Sequence, residues 1–162
     1  REGGTVGADG GRPRSAPRIA LADDVELVRT LFREYAGGIG VDLSFQGFEE
    51  ELDALPAGYD AILVAWLEEA AAGCVGVRPF EDGICEMKRL YLRPAARGAG
   101  VGRALADAVV EQARALGYTR MRLDTMPSMT AAVALYRSLG FVEIAPYRFN
   151  PVAGAAFMEL RL

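Results

Sequence analysis

The stretch Leu90-Tyr-Leu-Arg-Pro94-Ala-Ala-Arg97-Gly98-Ala-Gly100-Val-Gly102-Arg-Ala-Leu105 sets the architecture of the chain. It reads as a strand halted by Pro94, then a glycine-rich turn, then the first turn of an amphipathic helix. Such a turn aims several backbone N–H groups at one point, and the dipole of the helix behind it adds partial positive charge there. Glycines at 98, 100 and 102 remove the Cβ atoms that would hold a bulky anion away from the main chain. The local chemistry is capture of a phosphate or pyrophosphate.

Outward from that stretch, hydrophobic periodicity gives the remaining elements. Residues 17–21 read as a short strand. Asp23 is placed to cap a helix, with Glu26 three residues on completing a capping-box pattern. Val28, Leu31, Phe32 and Tyr35 share one face of that helix, and Gly37-Gly38-Ile39-Gly40 ends it. A second helix follows over 45–55 with Phe48, Leu52 and Leu55 inward. Its opposite face carries Glu49, Glu50 and Asp53, which either attract a cationic amine or form an ordinary solvated face, the commoner case. The apolar run 61–67 predicts a central strand, 73–78 the next, and Asp82-Gly83 a two-residue hairpin turn into a strand over 85–92. Behind the glycine turn, Val101, Leu105, Ala108, Val109 and Leu116 mark one helix face, ended by Gly117. A strand over 118–124, a helix over 128–139 stopped by Gly140, and strands over 141–145 and 155–162 complete the chain. The order β-α-α-β-β-β-α-β-α-β-β combines hairpins with one strand–helix–strand crossover. It predicts an α/β fold: a mixed, mostly antiparallel sheet of about seven strands, with one parallel pair and helices on both faces.

The 162 residues, 51% of them hydrophobic, suffice for one domain with a proper core. Residues 1–16, rich in Gly, Pro and Arg without periodicity, read as a disordered tail ahead of a single domain over 17–162. A net charge of -4 argues against nucleic acid as a partner. The longest apolar stretch, 61–67, is far short of a membrane span, and no secretory signal opens the chain, so a cytoplasmic location is expected. The chain has no histidine. That removes Ser-His-Asp and Cys-His nucleophile schemes, HExxH sites and zinc fingers, and no metal is expected. Any general base is then a carboxylate, the lone lysine Lys88, a tyrosine, a cysteine or a water. With Asp82-Gly83 as the turn, Cys74 faces Tyr91, and Cys85 lies six strand residues away, roughly 20 Å. The cysteines are therefore free thiols of a reducing compartment.

Two common phosphate motifs fail on this stretch. GxGxxG needs Gly or Ala where Arg103 or Leu105 stands, and a P-loop needs a lysine that the segment lacks. What does match is Arg97-x-x-Gly100-x-Gly102 after a strand ending in Leu-x-Leu-x-Pro, together with Ala132-Val-Ala-Leu135-Tyr136-Arg-Ser-Leu139-Gly140-Phe141 about thirty residues on. Here the chain resembles the GCN5-related N-acetyltransferase (GNAT) family, with its acetyl-CoA motif and its "A-x-x-L-Y-x-x-x-G-F" segment, over residue 17 to the end. It departs at Met129, where the family often has Asn.

The resemblance implies an N-acetyltransferase that moves an acetyl group from acetyl-CoA to a primary amine of a small molecule or amino acid-like acceptor by direct attack. The alternative is a non-catalytic acyl-CoA-binding module of the same fold. By the resemblance, backbone N–H groups of Arg97, Gly98, Ala99, Gly100, Val101 and Gly102 hold the CoA pyrophosphate, with Arg103 beside them. The main chain of Leu90, Tyr91 and Leu92 pairs with the pantetheine arm, and the parallel strands part beyond Leu92. Glu86, sharing a face with Lys88, Leu90 and Leu92 by strand alternation, is the candidate base; a salt bridge or rim carboxylate is as good a reading. Tyr136 faces the sulfur and is the candidate acid, its other reading being a core aromatic beside Val133 and Leu139. Arg148, in the connection 145–154, either clamps an acceptor carboxylate or is merely solvated. The expected partners are a small-molecule amine and, since dimers are common among similar proteins, a second copy of the chain; nucleic acid and membrane are not expected.

Overall fold

The computed structural model describes residues 16–40 and 42–162, so all but the last residue of the tail read over 1–16 lies outside the described residues. Seven strands form one sheet: β1 (Arg18–Leu21), β2 (Ala61–Leu67), β3 (Ala70–Glu81), β4 (Ile84–Leu92), β5 (Arg120–Thr125), β6 (Val142–Ile144) and β7 (Ala156–Arg161). Their spatial order is β1-β2-β3-β4-β5-β7-β6. Every neighbouring pair is antiparallel except β4–β5, the pair joined by the crossover helix. The apolar β2 is second in that order rather than central, flanked by β1 and β3.

Four helices, α1 (Val25–Ile39), α2 (Phe48–Ala54), α3 (Val101–Ala115) and α4 (Thr130–Ser138), bury apolar stripes on the two sides of the sheet. On one side Val28, Leu31 and Phe32 of α1 and Phe48 and Leu52 of α2 cover Ile62, Val64 and Cys74. On the other, Val101, Leu105 and Val109 of α3 cover Val75, Val77, Met87 and Met121, with Tyr136 and Phe141 beside them. Each fully buried Leu or Phe contributes roughly 1.5–3 kcal/mol.

Local details depart from the sequence reading for identifiable reasons. The cap of α1 is Asp24, whose Oδ1 accepts from the amides of Glu26 at 3.0 Å and Leu27 at 3.2 Å; Asp23 lies one residue too early. The pair Gly37-Gly38 does not end α1, which runs on to Ile39 before Gly40 stops it. The helix read over 45–55 is broken at Gly47, whose φ of 68° suits glycine, leaving a 3-10 turn (Ser44–Gln46) and then α2. Its inward residues Phe48, Leu52 and Leu55 are buried as read, and Glu49, Glu50 and Asp53 are solvated. On α3 the buried stripe stops at Ala113, and Leu116, beyond the helix end, is 45% exposed.

The departure that matters most lies on β4. Asp82-Gly83 sets Glu81 opposite Ile84, and Cys74 does face Tyr91, with both cysteines free and buried. Between those points the register shifts twice, and Arg89 enters as an extra residue at φ +60°. This bulge resets the alternation. Leu90 and Leu92 thus join the α3 side with Cys85 and Met87, while Tyr91 packs on the α1 side. Glu86 and Lys88 therefore do not share a face with Leu90 and Leu92.

Candidate active site

β4 and β5 are paired at three positions only, Ile84↔Arg120, Cys85↔Met121 and Glu86↔Arg122. The parting thus begins just past Glu86, not beyond Leu92. β5 stays with β7 as far as Thr125↔Ala156, while the bulge at Arg89 bends β4 away. From Met87 onward β4 has a strand partner on its β3 side alone. A narrow void of about 20 Å³ runs through the gap, bounded by Tyr35, Gln46 and Met129 from one face, Tyr136 from the other, and Lys88, Asp124 and Thr125 from the strands. Tyr35, Leu90 and Met129 also wall a cleft of about 600 Å³ that reaches Leu92, Arg97 and Gly98.

The glycine turn stands at the far end of that cleft. Pro94–Ala96 forms a 3-10 turn, and two of the amides read as anion donors are used within it: Arg97 N–H donates to Pro94 O and Ala99 N–H to Ala96 O. The first helical bond of α3 is Ala104 N–H to Gly100 O at 3.1 Å. The amides of Val101, Gly102 and Arg103 precede it and have no intrahelical acceptor. Gly100 is needed for its φ of 77°, and a Cβ there would meet nothing within 4 Å. The Arg103 guanidinium turns away to Asp107 and Ser138.

On the α1 side of the gap lies an ionic cluster. Glu86 is fully buried and its carboxylate is saturated: Oε1 accepts from Arg78 Nε at 2.9 Å and faces the other Arg78 nitrogen at 2.8 Å. Its Oε2 accepts from the Tyr147 hydroxyl at 2.7 Å and lies 2.6 Å from Arg148. The candidate base thus has no free lone pair directed at the gap. Arg148 stacks on Tyr147 and Phe80, and its buried Nε has no hydrogen-bond partner among the described residues. Lys88 Nζ lies 3.3 Å from Gln46 Oε1 and 3.7 Å from Asp124 Oδ1. Burial, reinforced by the neighbouring Arg89 charge, pushes its ammonium down to about 8. Arg89 itself is clamped by Glu51 at 3.0 and 3.1 Å and by Gln46 at 2.9 Å.

On the opposite face Tyr136 is buried against Phe141, and burial raises its phenol far above the usual range, helped by Tyr35 and Asp124. Thr125, in the gap wall, has a buried Oγ1 with no partner among the described residues. The structure therefore brings Leu90, Tyr91, Leu92, Arg97 and Gly98 to one cleft and Tyr136 to the narrow void beside it, while Glu86 and Arg148, paired to each other, line neither. Sequence reasoning missed Gln46, Glu51, Asp124 and Tyr147. None lies in a motif, and only the run Glu49-Glu50-Glu51 hinted that one acid faces inward.

The profile of the acetyltransferase (GNAT) family matches residues 26–141. An uncharacterized N-acetyltransferase of Schizosaccharomyces pombe is 38% identical over 154 residues, covering 91% of this chain and 94% of its own. The uncharacterized N-acetyltransferase YjgM of Escherichia coli is 34% identical, over 78% of this chain and 81% of its own. Among solved structures, a candidate acyl-CoA N-acyltransferase of Klebsiella pneumoniae is similar at a TM-score of 0.71 and 28% identity, covering 90% of this chain and 97% of that one. A candidate acetyltransferase of Salmonella typhimurium, solved with its cofactor acetyl-CoA, has a TM-score of 0.71 at 24% identity, over 91% and 94% of the two chains. At that identity the likeness is one of fold.

Proposed function

Because this chain belongs to the acetyltransferase (GNAT) family and is an acetyl-CoA-dependent N-acetyltransferase, we propose that it acetylates the primary amine of a small molecule or amino acid-like acceptor by direct attack. The observation that carries this reading is the gap past Glu86, with an ionic wall on one face of the sheet and a buried phenol on the other.

Acetyl-CoA fits what the chain offers. The amides of Val101, Gly102 and Arg103 suit a pyrophosphate, with Arg97 and Ala99 shaping the turn that presents them. The main chain of Leu90, Tyr91 and Leu92, unpaired on its β5 side, suits the amide-bearing pantetheine arm. The unpartnered Thr125 hydroxyl is a further polar group in the gap wall. The coenzyme supplies an activated acetyl group when bound. The Tyr136 phenol is the proton source for the departing sulfur in this reading; because burial weakens it as an acid, its proton moves as the amine nitrogen gives up its second one. Glu86, in place of the base role that the resemblance gives it, holds Arg78, Arg148 and Tyr147 in position. Arg148 then donates through its free Nε to an acceptor carboxylate.

A covalent acetyl-enzyme is not part of the reading. Burial pushes the Cys85 thiol up to about 12 and raises Cys74 as well, so neither is a ready thiolate. The same reading takes 17–162 as one acetyltransferase unit working in the cytoplasm, where both thiols stay reduced. No helix among the described residues is long and apolar enough to cross a membrane. Thiol release from acetyl-CoA across a panel of amines tests the proposal. Acceptor-dependent release is expected, lowered about 10²-fold or more by Tyr136→Phe with CoA affinity retained. Coenzyme binding without release for any amine would sink it.

A further inference from the structure

Lys88 is the one lysine of the sequence, and its side chain is only 3% exposed. It follows Glu86, the last β4 residue paired to β5, by two positions and shares its face, so it is the first side chain on the α1 side past the final rung. We propose that Lys88 is the proton acceptor for the ammonium group of the acceptor, acting from the face of the sheet opposite Tyr136. The inference rests on the acetyltransferase reading above and adds the base that reading lacks.

The surroundings of Nζ favour the neutral amine. An ammonium has three protons to donate, yet among the described residues only Gln46 Oε1, at 3.3 Å, lies within hydrogen-bond reach. Asp124 Oδ1 at 3.7 Å and Glu86 Oε1 at 4.0 Å stand further off. Both carboxylates are already engaged, Asp124 by Asn150 Nδ2 at 3.1 Å and Glu86 by Arg78, Arg148 and Tyr147. The charged and titratable groups around Lys88 are Glu86 and Arg89 on β4, Arg78 on β3, Asp124 on β5, Tyr35 on α1 and Tyr136 on α4, with Glu51 of α2 behind Arg89. Burial opposes a proton on Nζ most and Arg89 and Arg78 repel it, while Asp124 and Glu86 hold it; the balance is titration near 8. An amine pushed toward neutrality on one face and a phenol held protonated on the other divide acid and base work between them.

The step balances. Neutral Lys88 takes one proton from R–NH3+, and the freed lone pair forms the C–N bond as the C–S bond of the thioester breaks. The sulfur takes the Tyr136 proton, the second proton of the amine nitrogen restores Tyr136, and Lys88 returns its proton to solvent. One ammonium and one acetyl thioester become one amide, one thiol and one proton.

Because the sequence has a single lysine, protein grown on [ε-13C]lysine gives one side-chain NMR signal that titrates without any substitution. The expected midpoint is near 8, matched by an inflection in the pH profile of kcat/KM for amine acetylation. Lys88→Met and Lys88→Arg are expected to bind CoA like the wild type, lose about 10²-fold or more in kcat, and lose that inflection. A midpoint near the ordinary ~10.4, variants that keep the wild-type rate and profile, or stable acetylation of Lys88 by acetyl-CoA alone would each overturn the proposal. If a variant does not fold, the wild-type midpoint and its match to the kinetic inflection decide the matter. Failure of the wild type to acetylate any amine overturns the acetyltransferase reading along with it, whereas an active wild type with a silent Lys88 overturns this inference alone.

Discussion

At neutral pH Lys88 is a charge that its surroundings under-compensate, and that has a thermodynamic signature apart from any reaction. Its pKa falls from the ordinary 10.5 to about 8 on folding, so between those values the unfolded chain binds a proton that the folded protein does not. Unfolding free energy therefore rises with pH across that window. The penalty, about 3 kcal/mol, is present in full below about 8 and gone above the unfolded value. Urea unfolding of wild type and Lys88→Met at about pH 7.5 and about pH 9.5 is expected to show wild type gaining relative to the variant, with tyrosines and cysteines cancelling in the difference. A flat difference would show that the lysine is not desolvated. At this scale the sequence singled out Lys88 only by rarity. It left Glu86 open between base and salt bridge: Arg78 is its hairpin neighbour eight residues back, but Tyr147 and Arg148, which complete its coordination, are about sixty residues on.

The bulge of β4 depends above all on the Glu51 carboxylate of α2. Arg89 sits at φ +60°, costly for a side chain other than glycine, and is held there by Glu51 and Gln46 and by the rings of Tyr35 and Phe48. Glu51→Ala leaves that guanidinium buried without its carboxylate. A loss of about 3 kcal/mol in chemical denaturation is expected, with weakened CoA binding because the bend in β4 relaxes. The turn ahead of α3 behaves differently. A Cβ at Gly100 meets no protein atom, so Gly100→Glu is expected to lose only about 1–2 kcal/mol of stability through its positive φ. The acid then stands beside the amides of Val101 and Gly102, and isothermal titration is expected to show CoA binding abolished with the circular dichroism unchanged. The elements that sequence alone made readable are those whose signals are local. Asp82-Gly83 fixes a hairpin register, and Gly140 stops α4. The break at Gly47 and the extra residue at Arg89 were hidden because even periodicity assumes an unbroken element.

For the whole molecule, topology followed from connection lengths, and the single parallel pair came from the one crossover helix. The ionic wall did not, since Gln46, Arg78, Asp124 and the pair Tyr147-Arg148 come from four separate segments that only the folded sheet gathers. Arg148→Ala tests what that wall selects. Its KM for a carboxylate-bearing amine is expected to rise about 10- to 100-fold against an otherwise similar amine lacking the carboxylate, with KM for acetyl-CoA unchanged. Equal effects on both amines would remove the carboxylate from the specificity.

The sheet consists of two wings, β1–β4 and β5–β7, that meet at only three rungs. A guest lying along the open seam would act as mortar between them. Occupancy should therefore register as stiffness: slower amide exchange at Leu90 on one wing and at Thr125 on the other, across a seam that few of the protein's own bonds close.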